Sequence, residues 1–262
     1  MIRIKNIVQL LLNLIFINTI QAQMQVEKDT VNVAISKKSN FSYKQLIVPA
    51  ALMSYGLIGI ESDYIKGVNS EISEEVVENI DRKISIDDFS QYAPAAAVYG
   101  LNAMGIKGKH NLKDRSIILG SSFLLMSATV LILKSSTKIE RPDGSSKNSF
   151  PSGHTATAFA GAEFLWQEYK DVSIWYGISG YIVASGTGIF RIYNDRHWLT
   201  DVAMGAGIGI LSTKIAYWTF PLLNKKNKNP EINTATTNNN TTMVAPFYNG
   251  KQGGLSMVIN FR

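Results

Sequence analysis

The chain has 262 residues and no cysteine. This absence excludes disulfide bonds, thiolate metal sites and a cysteine nucleophile, while it leaves the cellular compartment open. Histidine is scarce as well, with three residues, so imidazole chemistry can rest on few positions. Charge is missing from two long stretches, 116–133 and 174–190. Both stretches are close to the length of about 20 residues that a helix needs to cross a bilayer.

Apolar segments recur through the chain, at 91–106, 116–133, 155–166, 174–190 and 202–220. They are rich in glycine, alanine and serine, as close helix packing in lipid prefers. We therefore expect an all-α fold, a membrane-embedded bundle of about five or six helices. The alternative is a soluble bundle with buried helices, and a mean hydropathy of +0.02 keeps this alternative open.

The first 22 residues have the pattern of a secretory signal. Arg3 and Lys5 precede an apolar stretch, 7–20, which ends near the small residue Ala22. This pattern predicts a cleaved signal peptide or an uncleaved signal anchor over 1–22.

The following region, 23–90, is predicted to hold one apolar segment and a solvated acidic stretch. The apolar segment, 45–60, is short and contains Pro49, so it could span the membrane, re-enter it or lie at its surface. The acidic stretch, 61–88, has the spacing of an amphipathic surface helix.

Three further regions complete the predicted organisation. The main helical bundle covers 91–223, and an Asn/Thr-rich linker that is disordered by composition covers 224–242. Residues 243–262 are expected to form a β-hairpin, because Asn249-Gly250 lies between two apolar runs.

The net charge of +6 favours anionic partners, whether nucleic acid, lipid head groups or phosphorylated substrates. Short basic stretches at 107–115 and 225–228 lie beside apolar segments, which places them in the cytoplasm by the positive-inside rule. Counting crossings from there puts 134–154 and 191–197 together on the outer face of the membrane.

His197 and Asp201 stand four residues apart where an apolar segment begins. At this spacing their side chains lie on one helix face, within reach of each other. A carboxylate that orients an imidazole is the arrangement of many catalytic pairs. A helix-capping interaction would be the better explanation if the pair were isolated, but two other polar stretches accompany it.

The stretch "PSGHT", 151–155, comes just before an apolar helical run. Backbone N–H groups of Ser152 or Gly153 at a helix N-terminus would bind an anion well, and the Ser152 hydroxyl could add a hydrogen bond. An ordinary turn and N-cap would explain the serine and glycine. It would not explain His154 at the mouth of the same anion site.

Lys134, Arg141 and Arg191 each lie beside the end of an apolar segment on the predicted outer face. A single arginine at such a place usually contacts lipid head groups. Three cations that converge with two histidines are better explained by a tetrahedral dianion, since arginine forks match phosphate oxygens and lysine adds a point charge.

These stretches, "KSSTKIERP", "PSGH" and "FRIYNDRHWLTD", strongly resemble the signature of the type 2 phosphatidic acid phosphatase superfamily, which includes class A acid phosphatases and vanadium haloperoxidases. All spacings match, and the resemblance covers roughly 88–221. One departure is Phe190, where the family usually has serine.

The resemblance implies a role for each matching residue. His197 would attack phosphorus and become phosphohistidine, while Asp201 holds its ring. His154 would protonate the leaving oxygen and then activate water. The phosphoryl oxygens would be held by five residues: Lys134, Arg141, Ser152, Gly153 and Arg191.

We expect no metal and no other cofactor, because Asp143, Asp195 and Asp201 are the carboxylates near the motifs and do not suggest a magnesium site. The expected activity is hydrolysis of a phosphate monoester or pyrophosphate of a membrane lipid, outside the cytoplasm. The expected partners are a phosphorylated lipid and the membrane, with no nucleic acid. Alternatives are a secreted soluble acid phosphatase, a vanadate-dependent haloperoxidase and a non-catalytic phospholipid-binding protein.

Overall fold

The computed structural model describes residues 42–78, 85–223, 240–248 and 253–261. Within these ranges the chain forms eight α-helices, two β-strands and a short 3₁₀ helix at Tyr43–Leu46. The helices are α1 Ile47–Gly59, α2 Asp63–Glu78, α3 Ile86–Ser90, α4 Ala93–Ala103, α5 Leu112–Thr137, α6 Gly153–Tyr169, α7 Ile174–Tyr193 and α8 Leu199–Leu223. The predicted signal and the Asn249-Gly250 turn lie outside the described residues.

The prediction of a predominantly helical chain is confirmed. The helices and the strands belong to two separate units of the chain. In the second unit, β1 Asn240–Tyr248 pairs antiparallel with β2 Gly253–Phe261, so that Asn240 faces Phe261 and Tyr248 faces Gly253.

Polar residues cap the helices that flank the candidate site. Asn111 accepts a hydrogen bond from the backbone N–H of Asp114 at the start of α5, at 2.9 Å. Ser152 caps α6 and Ser173 caps α7 in the same manner. Each cap satisfies an N–H group that has no partner inside its own helix, which fixes where the helix begins.

Helix α8 packs closely on α6 through glycines. A Cβ atom added to Gly205 would lie 2.4 Å from the carbonyl oxygen of Ser152, and one added to Gly209 would lie 2.3 Å from that of Ala156. Where the two helices begin, the backbone N–H of Ser152 donates to the carbonyl oxygen of Asp201 at 3.0 Å. The two helices run in the same direction, so the second and third motifs meet at one end of the bundle.

Two described helices are long and apolar enough to cross a membrane. These are α5, in which an 18-residue window has a mean hydropathy of 2.2, and Leu199–Leu222 of α8, in which such a window has 1.2. The pair Tyr43–Gly59 and Asp63–Val76 meets the same test together but is bent by 94°, as in a broken span or a re-entrant loop. By length and composition the described residues therefore offer two spans, or three if the bent pair counts as one.

The outward faces of two helices are strongly apolar. Leu124, Leu131 and Ile132 are exposed on α5, and Trp175 and Ile182 are exposed on α7. Contiguous apolar surface of this kind is rare on soluble monomers and is expected where lipid is the solvent. The structure therefore fits a chain embedded in a membrane.

His110, in the basic loop 107–115, is held against the helical bundle. Its Nδ1 lies 2.6 Å from Oε1 of the buried Glu168, and its ring packs against Tyr217 and Phe220. The backbone N–H of His110 also donates to Glu168 Oε2 at 3.0 Å. This histidine fastens the basic loop to α6 and lies far from the three motifs.

We expect Gly209→Ala to lower the free energy of unfolding in detergent by about 1 to 3 kcal/mol, because the new methyl group would collide with the α6 backbone. The matched control is Gly120→Ala in α5, where an added Cβ meets no atom within 4 Å. Alanine is favoured over glycine inside a helix, so the control should keep or raise the melting temperature. Equal melting temperatures for the two variants would contradict the close contact between α6 and α8.

Candidate active site

The turn before α8 brings His197 and Asp201 together. His197 Nδ1 lies 3.4 Å from Asp201 Oδ2, and both side chains are almost fully buried. The same carboxylate oxygen accepts hydrogen bonds from the backbone N–H of Trp198, at 3.0 Å, and from the hydroxyl of Ser149. Asp201 is thereby fixed, and it fixes Nδ1 of the imidazole.

Burial is the main influence on the charge of His197. It lowers the pKa of this histidine to about 4, and the nearby cations Lys134 and Arg191 lower it further, while Asp201 acts in the opposite direction. The ring is consequently neutral near pH 7. With the proton on Nδ1, toward the carboxylate, the lone pair is on Nε2, which is the state that a nucleophile requires.

A cleft of about 370 Å³ lies at this end of the bundle. Three of the predicted site residues line it, namely Arg141, His154 and Arg191. The other lining residues are Ser85, Asp87, Asp88, Asn194 and Arg196. The cleft is thus rich in guanidinium groups, as an anion site requires.

Lys134 and Arg141 hold the loop that joins α5 to α6. The ammonium group of Lys134, in the last turn of α5, donates to the carbonyl oxygens of Asn148 and Ser149. Arg141 Nε donates to the side-chain oxygen of Asn148 at 3.0 Å. Lys134 lies close enough to Arg141, Arg191 and Asp201 to interact with their charges. The first motif therefore reaches the same place as the third.

Arg191, in the last turn of α7, is buried, and one of its N–H groups makes no hydrogen bond among the described residues. Its Nη1 donates to the carboxylate of Asp87, whereas Nε has no hydrogen-bond partner among the described residues. Buried donors are nearly always satisfied in native proteins. An unpaired guanidinium N–H beside the cleft is the feature expected of a residue that binds an anionic ligand.

The start of α6 contributes the positive end of a helix. Ser152 is buried, and its hydroxyl lies 2.9 Å from Thr155 Oγ1 and also caps the backbone N–H of Thr155. Gly153 opens the helix, and a Cβ added there would find its nearest neighbour, Val130, at 3.9 Å. The structure therefore uses the Ser152 hydroxyl inside the cap and leaves room above Gly153.

Two acidic residues that sequence reasoning missed lie in the cleft. Asp88 Oδ1 is 2.9 Å from His154 Nε2, and the buried Asp87 pairs with Arg191 and accepts a hydrogen bond from Asn194 at 3.1 Å. The prediction that the carboxylates near the motifs are Asp143, Asp195 and Asp201 alone is wrong.

The prediction of a solvated acidic stretch is also wrong at Asp87. The cause is the packing of the short helix α3 against α7, which carries Asp87 to a partner 104 residues away in the sequence. No short sequence pattern predicts such a contact between distant residues. The adjacent acidic pair at the edge of the first apolar bundle segment is the one weak signal.

Asp143 and Asp195, which the sequence did single out, lie at the rim. Asp143 pairs with Arg196 at 2.9 Å, and Asp195 accepts a hydrogen bond from the Ser73 hydroxyl at 2.8 Å. Both contacts hold the loops around the cleft.

The cleft also contains three groups whose spacing would suit a metal ion. Ligand atoms of Asp87, Asp88 and His154 all lie within 4.8 Å of one another. Asp87 is already paired with Arg191, however, and Arg141 lines the same cleft, so two guanidinium charges oppose a divalent cation there. The donor set fits an anion better than a metal.

The charge of His154 is set by opposing neighbours. Burial and the positive charge of Arg191 lower its pKa below the ordinary value of a histidine, while the hydrogen bond to Asp88 and the charge of Asp87 raise it. The net direction is downward, so Asp88 is the group that keeps this ring protonatable.

Comparison with known proteins places the motifs in a family. Residues 115–225 match the family model described as the PAP2 superfamily. All three motifs fall inside this match.

Two relatives match parts of the chain. The lipid A 1-phosphatase of Porphyromonas gingivalis is 43% identical over 139 residues, which is 53% of this chain and 31% of that protein. The bacitracin transport permease protein BcrC of Bacillus licheniformis is 37% identical over 76 residues, which is 29% of this chain and 36% of that protein. The chain thus spans about a third of the length of these relatives.

Two solved structures are similar as well. One is a transmembrane PAP2 type phosphatidylglycerolphosphate phosphatase from Bacillus subtilis, with a TM-score of 0.44 and 21% identity over 71% of this chain and 100% of that chain. The other is LpxE of Aquifex aeolicus, with a TM-score of 0.39 and 20% identity over 68% and 97% of the two chains. The motif resemblance is confirmed by the match of residues 115–225 to the model of the PAP2 superfamily.

Proposed function

We propose that the chain is a metal-independent phosphatase that hydrolyses a phosphate monoester or pyrophosphate of a membrane lipid through a phosphohistidine intermediate. The observation that carries the proposal is the buried, neutral His197, held at Nδ1 by Asp201 beside a cleft lined with arginines. A neutral imidazole next to a cluster of cations is suited to attack on a phosphate dianion.

A membrane lipid is the substrate class that the remaining observations support. The outward faces of α5 and α7 are apolar, and the Porphyromonas gingivalis relative is named for a phosphatase reaction on lipid A. Candidate substrates are a lipid A phosphate, phosphatidic acid, phosphatidylglycerol phosphate and polyprenyl pyrophosphate. With 107–115 in the cytoplasm, the cleft would face the periplasm or exterior.

In the first step, Nε2 of His197 attacks phosphorus while the bond from phosphorus to the lipid oxygen breaks. The protonated His154 gives its proton to that oxygen as the lipid alcohol leaves. Arg141, Lys134 and the unpaired Nε of Arg191 bind the phosphoryl oxygens. Because Arg191 meets Asp87 through Nη1, it can take a phosphate oxygen on Nε without giving up that carboxylate.

In the second step, water displaces His197 from phosphorus, and the neutral His154 takes a proton from that water. Asp201 stabilises the imidazolium character that His197 acquires while phosphorylated. Asp88, bonded to His154 Nε2, stabilises the protonated ring on which the first step depends. In this scheme His154 donates a proton in the first step and accepts one in the second, so its pKa must lie near the working pH.

The first test is phosphate release by the purified full chain in detergent, from a panel of phosphorylated lipids with EDTA present. We expect release that survives EDTA and falls by about 10³-fold or more in His197→Ala, because the nucleophile is lost. The control is His110→Gln, which alters a histidine far from the cleft and keeps a donor for Glu168. Equal release by His197→Ala and the unaltered chain would refute the phosphohistidine mechanism.

The pH dependence of kcat/KM should be bell-shaped with an acidic optimum. As pH falls through about 4, His197 becomes protonated and loses its lone pair, so the rate falls. As pH rises past the pKa of His154, which is below its ordinary value, the general acid loses its proton and the rate falls again. A kcat/KM that keeps rising toward alkaline pH would contradict these roles.

Asp88→Asn should shift the alkaline limb of the same profile to lower pH. Removal of the carboxylate takes away a group that raises the pKa of His154, so less of the acid is protonated at neutral pH. We expect kcat at pH 7 to fall by about tenfold or more, with partial recovery in Asp88→Glu. The control is Asp63→Asn, whose carboxylate is solvent-exposed and pairs with Lys66. A uniform loss of rate with an unmoved limb would mean that Asp88 supports structure rather than protonation.

A further inference from the structure

A second polar cluster lies inside the helical unit, away from the cleft. Lys214 of α8 and Glu163 of α6 form an ion pair at 2.7 Å, and both residues are buried. Lys214 follows Asp201 by 13 residues, which corresponds to about 20 Å along a helix at 1.5 Å per residue. Since α6 and α8 run in the same direction, the pair is displaced from the active site toward the opposite end of the bundle.

The carboxylate of this pair is saturated with hydrogen bonds. Glu163 Oε1 accepts from Gln167 Nε2 at 2.6 Å as well as from Lys214, and Oε2 accepts from the hydroxyl of Tyr181. The ammonium group of Lys214, by contrast, has three N–H donors and uses one on Glu163 among the described residues. Two donors are left for another group.

A cavity of about 290 Å³ borders the cluster. Its polar lining consists of Glu163, Tyr181, Lys214 and a further lysine, Lys44. Val48, Trp166 and Ile210 supply an apolar wall, and Gln45 completes the lining. The cavity thus offers ammonium donors next to an aromatic and aliphatic surface.

Positive charge exceeds negative charge around this cavity. Lys170 is connected to the cluster because its ammonium group donates to Gln167 at 3.0 Å, and its charge interacts with that of Lys214. Among the residues that line the cavity, Lys44 and Lys214 are positively charged and Glu163 is negatively charged, so the net charge of the lining is positive. Such an excess favours a ligand with negative charge.

A buried ion pair is not required to hold such a bundle together. Apolar side chains of similar volume would be as stable at this position or more stable, because both charges must lose their hydration. Ionisable residues within apolar helices most often mark a binding site or a transport path. The adjoining cavity and the two unused Lys214 donors point to binding.

We propose that this cavity is a second lipid site, which binds the anionic head group of a phospholipid about 20 Å from the active site, toward the opposite end of the bundle. The apolar wall favours an amphiphile over a free anion, because it offers surface to a glycerol and acyl portion. Helix α8 is one of the candidate membrane spans, so lipid would surround this end. The phosphate would accept hydrogen bonds from Lys214 and Lys44, and Glu163 would keep Lys214 in position.

The test is native mass spectrometry of the full chain in detergent, with phosphatidylglycerol and phosphatidylcholine of equal chain length added separately. We expect phosphatidylglycerol to bind at least tenfold more tightly than phosphatidylcholine. Lys44→Gln should weaken this preference several-fold, and the double variant Glu163→Gln with Lys214→Gln should abolish it, since hydrogen bonds to charged groups are lost. Phosphate release by each variant shows whether it is folded.

Three controls separate this site from other anion sites. Lys113→Gln removes a lysine near the same end of the bundle that does not line the cavity, and it should leave the preference unchanged. Arg141→Gln alters the active-site cleft and should also leave it unchanged. Inorganic phosphate should not displace the lipid.

Four results would overturn the proposal. Equal affinity for the two lipids, or a preference that survives in the folded double variant, would show that the cavity does not select an anionic head group. Loss of the preference in Arg141→Gln alone would place the lipid in the active-site cleft. Displacement by inorganic phosphate would show a free-anion site instead.

Discussion

The close contact between α6 and α8 is the constraint on which the rest of the structure depends. Gly205 and Gly209 let the two backbones approach to a distance at which any side chain would collide. The hydrogen bond from Ser152 N–H to the Asp201 carbonyl then fixes the register of the two helices. Because His154 lies at the start of α6 and His197 just before α8, this backbone contact determines the relative position of the two imidazole side chains. A small shift of either helix would separate the proposed general acid from the proposed nucleophile.

The electrostatics of the cleft follow from the same arrangement. Three predicted cations and a further arginine crowd one end of the bundle, and like charges at close range repel. Asp87, Asp143 and Asp201 offset part of this repulsion by pairing with Arg191, Arg196 and His197, respectively. Burial lowers the pKa of His197 and the nearby cations Lys134 and Arg191 lower it further, so the ring is neutral, while Arg191 Nε has no hydrogen-bond partner among the described residues. A cleft with this arrangement of charges is preorganised for a dianion.

The charged side chains of the helical unit are concentrated at three levels. At one end lie the motifs, and further along α6 and α8 lies the Glu163–Lys214 pair with its cavity. Between these levels the contacts are small apolar residues, as helix association in lipid prefers. Beyond the second level, His110, Glu168 and Tyr217 join the basic loop to the bundle. The charged side chains named here therefore either pair with an oppositely charged or hydrogen-bonding residue or border a cavity.

The helical character of the chain, the helix start at Ser152 and the three motifs with the family that they resemble can be read from the sequence alone. These features depend on local spacing, caps and apolar runs, which can be read within a few residues. Only the tertiary structure decided that Asp87 and Asp88 join the cleft, that His110 is held by Glu168 and that Lys214 meets Glu163 beside a cavity. Each of these contacts joins residues about 50 to 100 positions apart in the sequence, which helix packing brings together. The energy of helix packing is the sum of many small contacts. No short sequence pattern therefore predicts which distant residues will meet.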